Sequence, residues 1–162
     1  MDIGINLATT ADSWKIVKRA EELGYTRVWF YDTHMLNADV FAAMAAAAMV
    51  TSKIRLGTGV LIPSNRIAPV AANALATINA LAPGRVDFGV STGSTARSTM
   101  GLGPVKLADM TEYIRIVQSL LQLWQHCGVE ISVVQLPTKQ RNQFTPLVSQ
   151  RQHLHQQPLA IH

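Results

Sequence analysis

The sequence predicts an α/β protein built on a parallel sheet. Short β-branched and aromatic segments alternate four times with segments of helical period. The strands recur at intervals of about 25–35 residues, the spacing of βα units. Strands three and four both run into Gly/Ser/Thr/Asn-rich segments. In parallel sheets such segments lie on the ligand-binding side.

Each element has its own local signals. Asp2 to Ala8 alternates apolar and small residues and predicts the first strand. Thr10, Asp12 or Ser13 is placed to cap the next helix, WKIVKRAEELGY, which has apolar residues at Trp14, Val17, Ala20 and Leu23 and a stop at Gly24. TRVWFYD predicts a buried second strand. Asp39 or Asn37 then caps VFAAMAAAAMVT. Ile54 to Leu61 is the third strand and Pro69 to Leu81 the third helix, with proline in a tolerated first-turn position. After the Pro83-Gly84 turn, Val86 to Val90 is the fourth strand, and Leu107 to Trp124 is a helix with apolar residues at Leu107, Met110, Ile114, Val117, Leu120 and Leu121. Periodicity alone leaves two architectures open, an open doubly wound sheet and half of an eight-unit barrel.

Composition narrows the function classes. The 162 residues suit one domain with a substantial core. The apolar runs are too short or interrupted for a membrane span, and the N-terminus shows no signal peptide. The lone Cys127 excludes an intramolecular disulfide framework and fits a reducing cytoplasm. Up to Ile131 the chain carries eleven Lys/Arg against ten Asp/Glu, whereas Ser132 onward has Lys139, Arg141 and Arg151 and no acid. Three charges without aromatic interleaving do not make a nucleic-acid surface. The segment 132–162 is Gln-, His- and Pro-rich with no useful period, so an irregular tail is expected after a domain spanning 1–131.

Four stretches are candidates for chemistry. GTGVLIPSNR, Gly57–Arg66, lets a backbone approach a ligand closely, or forms a simple strand-end bulge. GVSTGSTARSTMG, Gly89–Gly101, offers many donors for a polar ring edge or an anion, or is a ligand-free loop; it matches neither GxGxxG nor a P-loop. YDTHM places Asp32 and His34 at the end of the second strand, where they can transfer protons or hydrogen-bond a ligand. The bland alternative is that Asp32 caps its loop. No spacing suggests a metal site. The Ala-rich run Phe41–Met49 favours close packing on the sheet and is a candidate subunit interface.

VWFYD, the Ala-rich helix, IRLGTGVLIPSNRIAPVAANALATINALAPGRVDFGVSTG and TMGLGPVKLADMTEYIRIVQSLL occur in an order that resembles the bacterial luciferase-like flavin monooxygenase superfamily over about residues 1–125. The resemblance implies the N-terminal half of a TIM barrel, about four βα units, with reduced FMN or the deazaflavin coenzyme at the C-terminal strand ends. It implies that Thr58, Gly59 and Val60, with a non-prolyl cis bond at Gly59-Val60, and Ser91, Thr92 and Gly93 hold the flavin ring. Asp32 would face the reactive side. Relatives often have His directly after this Asp, whereas Thr33 intervenes before His34. The implied chemistry is oxidation of a small organic substrate by reduced flavin and oxygen. The flavin would be reduced by a separate reductase or by NAD(P)H. In the deazaflavin branch the chemistry is hydride transfer without oxygen. A homodimer is implied for the intact family.

Relatives of this kind run to about twice this length and take phosphate-binding loops from the seventh and eighth units. The resemblance therefore implies a truncated chain. His126-Cys127-Gly128-Val129-Glu130 stands where relatives often carry Gly-Glu-Thr-Val-Glu-Trp. Read one base later, a suitable coding of the same residues gives Thr-Val-Glu-Trp, so a frame change near Gln125 is expected. The competing reading of another class is a non-catalytic interaction fragment that does not bind flavin.

Overall fold

The computed structural model describes residues 2–125 and 132–135. Five strands, β1 (Gly4–Leu7), β2 (Arg27–Phe30), β3 (Arg55–Thr58), β4 (Val86–Val90) and β5 (Ser132–Gln135), form one parallel sheet in the order β1-β2-β3-β4-β5. Between them come α1 (Ser13–Glu22), α2 (Val40–Val50), α3 (Ala68–Leu81), the short α4 (Ser94–Ser98) and α5 (Leu107–Gln125). A doubly wound sheet reverses its strand order at a switch point. Here the order is strictly sequential, and α1, α2, α3 and α5 each pack on the next. That is the winding of a barrel segment, and it resolves the alternative left open by periodicity.

Local chemistry explains the boundaries. Asp39, not Asn37, caps α2: its carboxylate accepts the N–H groups of Phe41 and Ala42 at 3.0 Å each. Ser13 begins α1, and its hydroxyl accepts the Thr10 N–H at 2.9 Å. Gly24 closes the same helix at φ +85°, where a side chain would be strained. In α2, Val40, Phe41, Ala43, Met44, Ala47 and Ala48 are buried, so small residues bring this helix close to its neighbours. No helix among the described residues is long and apolar enough to cross a membrane.

One face of the sheet joins the helices in a single core. Val28, Phe30, Leu56, Val86, Phe88 and Val90 are buried there with Val17, Met44, Leu75, Met110 and Val117. The alternate side chains of β2, Arg27 and Trp29, belong to the opposite face.

Three expectations need correction. The third strand stops at Thr58 rather than Leu61; beyond it the Gly59 N–H donates to the Phe30 carbonyl at 2.7 Å and Leu61 bridges to Val90. The Gly89–Gly101 stretch is not all loop, because Gly93, at φ +75°, opens α4. Ser132–Gln135 is a strand paired with β4 over Asp87–Val90, not irregular chain. Four residues are too few to show a sequence period. The rest of the expected tail and the expected frame change at His126–Glu130 lie outside the described residues.

Candidate active site

The site is built where β2, β3 and β4 end. The loops that follow them come together at the carboxyl edge of the sheet, and the face away from the helices carries a hollow of about 420 Å³ lined by Gly4, Asn6, Trp29, Tyr31 and Gly59. Glycines beside it make room for Trp29 and for the close approach of β3 to β4. A Cβ on Gly57 would come within 2.5 Å of the Trp29 ring, and one on Gly59 within 2.7 Å of the Trp29 Cβ. A Cβ on Gly89 would sit 2.2 Å from the Thr58 carbonyl oxygen. The indole of Trp29 therefore lies across β3 and β4, covering ground that any larger residue would fill.

The β3–β4 ladder is interrupted between Gly57 and Leu61. This segment contains the cis Gly59-Val60 bond that the resemblance implies. The Thr58 hydroxyl spans the gap. It donates to the Gly89 carbonyl at 2.7 Å and accepts the Gly89 N–H at 3.0 Å. Thr58 is fully buried, so its hydroxyl closes the sheet and is not free for a ligand. Gly59 does line the hollow. Ser91 is joined to the same segment, its N–H donating to the Leu61 carbonyl at 3.2 Å. Gly93 packs so tightly that a Cβ there would meet Ile62 at 2.5 Å. Thr92 follows on the same strand end, and its carbonyl accepts the Val105 N–H at 2.9 Å. The structure thus brings the third- and fourth-strand motifs together.

Asp32 is buried and heavily engaged. Arg66 Nη1 donates to both its oxygens at 2.9 Å, and the Ile62 N–H reaches it at 3.4 Å. The other Arg66 nitrogen donates to Asp39 at 2.5 Å, and the guanidinium lies 5.0 Å from the Phe41 ring. Burial works against the charge on Arg66, but the Asp32 and Asp39 carboxylates outweigh it and raise the pKa. Desolvation likewise opposes ionisation of Asp39, yet the Ala42 N–H and Arg66 hold its carboxyl below the ordinary range. Tyr113 of α5 donates to the Arg66 carbonyl at 3.0 Å, and its phenol is pushed up to about 12, chiefly by burial. The expected proton-transfer role of Asp32 therefore meets an ion pair that fixes the loop after β2.

His34 lies on the same loop, beside a turn in which Met35 adopts φ 65°. Its Nδ1 is 3.0 Å from Asn65 Nδ2. Its Nε2 is buried without a hydrogen-bond partner among the described residues. The structure brings Asp32 and His34 to one rim, but through separate partners, the consecutive residues Arg66 and Asn65. Neither partner stood out in the sequence beyond the polar SNR ending of the third-strand motif. Trp29 and Tyr113 were also missed, because an aromatic in a strand or helix reads as core.

At the opposite end of the strands lies a second polar cluster. Asp87, almost wholly buried, accepts from Arg55 at 2.6 Å and faces Arg27 at 3.4 Å. The Asp87 hydrogen bond raises the pKa of Arg55 against the effect of burial. This cluster holds β2, β3 and β4 together below the hollow.

A family model described as luciferase-like monooxygenase matches residues 6–159. The chain belongs to that family. A 5,10-methylenetetrahydromethanopterin reductase from Methanolobus tindarius is 35% identical over 99 residues, 59% of this chain and 30% of the relative. The solved coenzyme F420-dependent tetrahydromethanopterin reductase from Methanopyrus kandleri superposes with a TM-score of 0.63 at 26% identity, covering 76% of this chain and 40% of that one. The monooxygenase RslO1 from Streptomyces bottropensis gives a TM-score of 0.64 at 25% identity over 76% of this chain and 43% of that one. The chain therefore spans less than half the length of these relatives. The family's members are oxidoreductases and its fold is a TIM barrel, of which this sheet is a part.

Proposed function

We propose that this chain carries the ring-binding side of a flavin-type coenzyme site, for FMN or the deazaflavin F420, in an oxidoreductase acting on a small organic molecule. One observation carries the reading: the hollow lined by Gly4, Asn6, Trp29, Tyr31 and Gly59, along β1 and β2 and the end of β3. A flat, partly polar ring suits such a place. Gly59 leaves the backbone open, Asn6 and Tyr31 offer polar groups beside it, and Trp29 forms an apolar floor. Ser91, Thr92 and Gly93 border the same strand ends. A coenzyme held there supplies the two-electron redox step.

The chain's own residues would do the positioning. Thr58 keeps β4 in register beside the Gly59-Val60 segment, and Arg66 holds Asp32 and the start of α2 in place. The relatives include a coenzyme F420-dependent reductase and a monooxygenase by name, which supports a site of this kind for either coenzyme.

Fluorescence titration of the purified chain with FMN, reduced FMN and F420 tests the proposal. Saturable binding in the micromolar range by any of them is the expected result. The one that binds tightest assigns the branch. No saturable binding of any coenzyme at high concentration would overturn the proposal and favour a non-catalytic interaction fragment.

A further inference from the structure

We infer that the flank formed by β1 and α1 is a docking surface, and that it accepts from a second polypeptide the βα units that adjoin β1 in a luciferase-like barrel. This goes beyond the proposed coenzyme site. The free sheet edge comes first. The Ile3 and Leu7 carbonyls accept the N–H groups of Thr26 and Tyr31. Such bonds alternate sides along a strand, so the backbone groups of Gly4 and Asn6 point away from β2. Among the described residues no strand lies on that side. β1, Gly-Ile-Asn-Leu, carries neither charge nor proline, two of the usual guards of a free edge. Such an edge can take on a further strand through its main chain.

The helix beside it is unfinished in the same direction. α2 packs on α1 and α3, and α3 packs on α2 and α5, so the inner helices meet helices on both flanks. α1 packs on α2 and buries Val17 and Ala20. Ile16 and Leu23, two turns apart on one side, stay 52% and 60% exposed. With Ile5, Ala20 and Tyr25 they line a groove of about 410 Å³. Its charged members, Lys15 and Arg19, are paired to Asp12 and Glu22 close by on the same stretch of chain. Because Ile5 belongs to β1, the apolar groove and the free edge are one continuous surface.

Three occupants can be weighed. The chain after β5 starts from the opposite edge of the sheet, and its Gln-, His- and Pro-rich sequence has no helical period to lay an apolar stripe in the groove. A second copy fits poorly on charge. Arg27 and Arg55 share one buried carboxylate, Asp87, with a smaller pull on Arg55 from the exposed Asp2. A copy closing the same interior would crowd its own pair of arginines against these. Barrel units fit in direction and shape. Their strand runs parallel to β1, as every neighbouring pair in this sheet runs. Their helix lies in the groove and repeats on α1 the packing of α1 on α2. The solved relatives have chain to supply them, since this sequence covers only 40% and 43% of two of them and their fold is the barrel.

Co-expression tests the inference. The full chain, carrying an affinity tag, is made together with the part of the Streptomyces bottropensis monooxygenase RslO1 that it does not cover, and separately with the matching part of the Methanopyrus kandleri reductase. At least one of the two is expected to co-purify with the tagged chain in equal amounts. The double variant Ile16→Glu with Leu23→Glu puts charge into the groove and should recover about a tenth as much or less. Met49→Glu, as exposed but on α2, should recover the wild-type amount. Circular dichroism checks that each variant is folded, and Ile16→Glu alone is read in the same way should the double variant unfold. Capture of neither probe by the folded chain overturns the inference, as does capture that the groove variants leave unchanged. A chain that doubles its mass alone in sedimentation, and is monomeric as the groove variant, gives the surface to a second copy and also overturns it. No coenzyme is needed, so a failed flavin titration and a failed capture are separate results.

Discussion

The two faces of the sheet are built by opposite means. On the helix side the strands present Val28, Phe30, Leu56, Val86, Phe88 and Val90, all with essentially no exposure. On the other side the same strands present Gly57, Gly59 and Gly89 around one tryptophan. Stability resides on the filled face, where each buried methylene contributes about 0.8 kcal/mol. On the open face the glycines accommodate Trp29, and the same face carries the hollow proposed for the coenzyme. The proposed site is thus tied to small residues whose replacement should damage shape as well as stability.

The sharpest test of that contrast is truncation on the filled face. Phe88 is fully buried among core residues of several elements. Phe88→Ala should cost roughly 3–5 kcal/mol, read as a lower midpoint in urea unfolding. The hollow lies on the other face, so the fraction that stays folded should keep the coenzyme affinity of wild type. A large loss of affinity in the folded fraction would show that the two faces are not separable.

Addition on the open face is the complementary change. Gly89→Ala places a Cβ 2.2 Å from the Thr58 carbonyl oxygen, and backbone must move. Such overpacking costs about 1–3 kcal/mol. The same shift disturbs the two bonds between Thr58 and Gly89. Unlike Phe88→Ala, this variant should lose coenzyme binding even where it remains folded. Unfolding curves and flavin titration on the same sample check it. A stable variant with unchanged affinity would mean that the close approach of β3 to β4 does not shape the site.

The two faces also differed in how far the sequence revealed them. Val86–Val90 and Asp39 as the α2 cap follow from signals a few residues long, hydrophobic run and capping chemistry. The order of motifs also pointed to Gly59, Val60, Ser91 and Gly93 as neighbours. The contacts that finish the rim are different in kind. Asn65 meets His34 across 31 residues, and Arg66 meets Asp32 across 34. Each such pairing depends on how two loops fold back over adjacent strands, which no periodicity encodes. Thr58 looked like a ligand group because it sits in a Gly-rich motif, yet a hydroxyl beside an interrupted ladder is taken by the backbone first. The α4 helix escaped because Ser94–Ser98 is mostly small and hydroxyl-bearing, a weak helical signal.

The smallest expected effect concerns the floor of the filled face, where charge rather than volume does the holding. Glu21 at the end of α1 accepts the N–H groups of Ser52, Lys53 and Ile54 at 3.0, 2.6 and 2.8 Å, tying the entry of β3 to the first helix. Burial alone would raise its pKa, but these three bonds and the nearby Arg85 together hold it below the ordinary 4.5. A carboxylate whose folded pKa is depressed stabilises the fold above its unfolded pKa, and the stabilisation is lost as pH falls through the folded value. Wild type should therefore lose stability on acidification below about pH 4.5. Glu21→Gln keeps the acceptor shape but removes the charge, so it should be less stable than wild type at pH 7 by about 0.5–1 kcal/mol, the discount reflecting solvent screening of a partly exposed group. The difference should shrink toward zero as the pH falls through the folded value, which lies below 4.5. Thermal melts of both proteins across that range decide it. A gap that stays constant with pH would mean that the three N–H bonds act through geometry alone and that the charge contributes nothing.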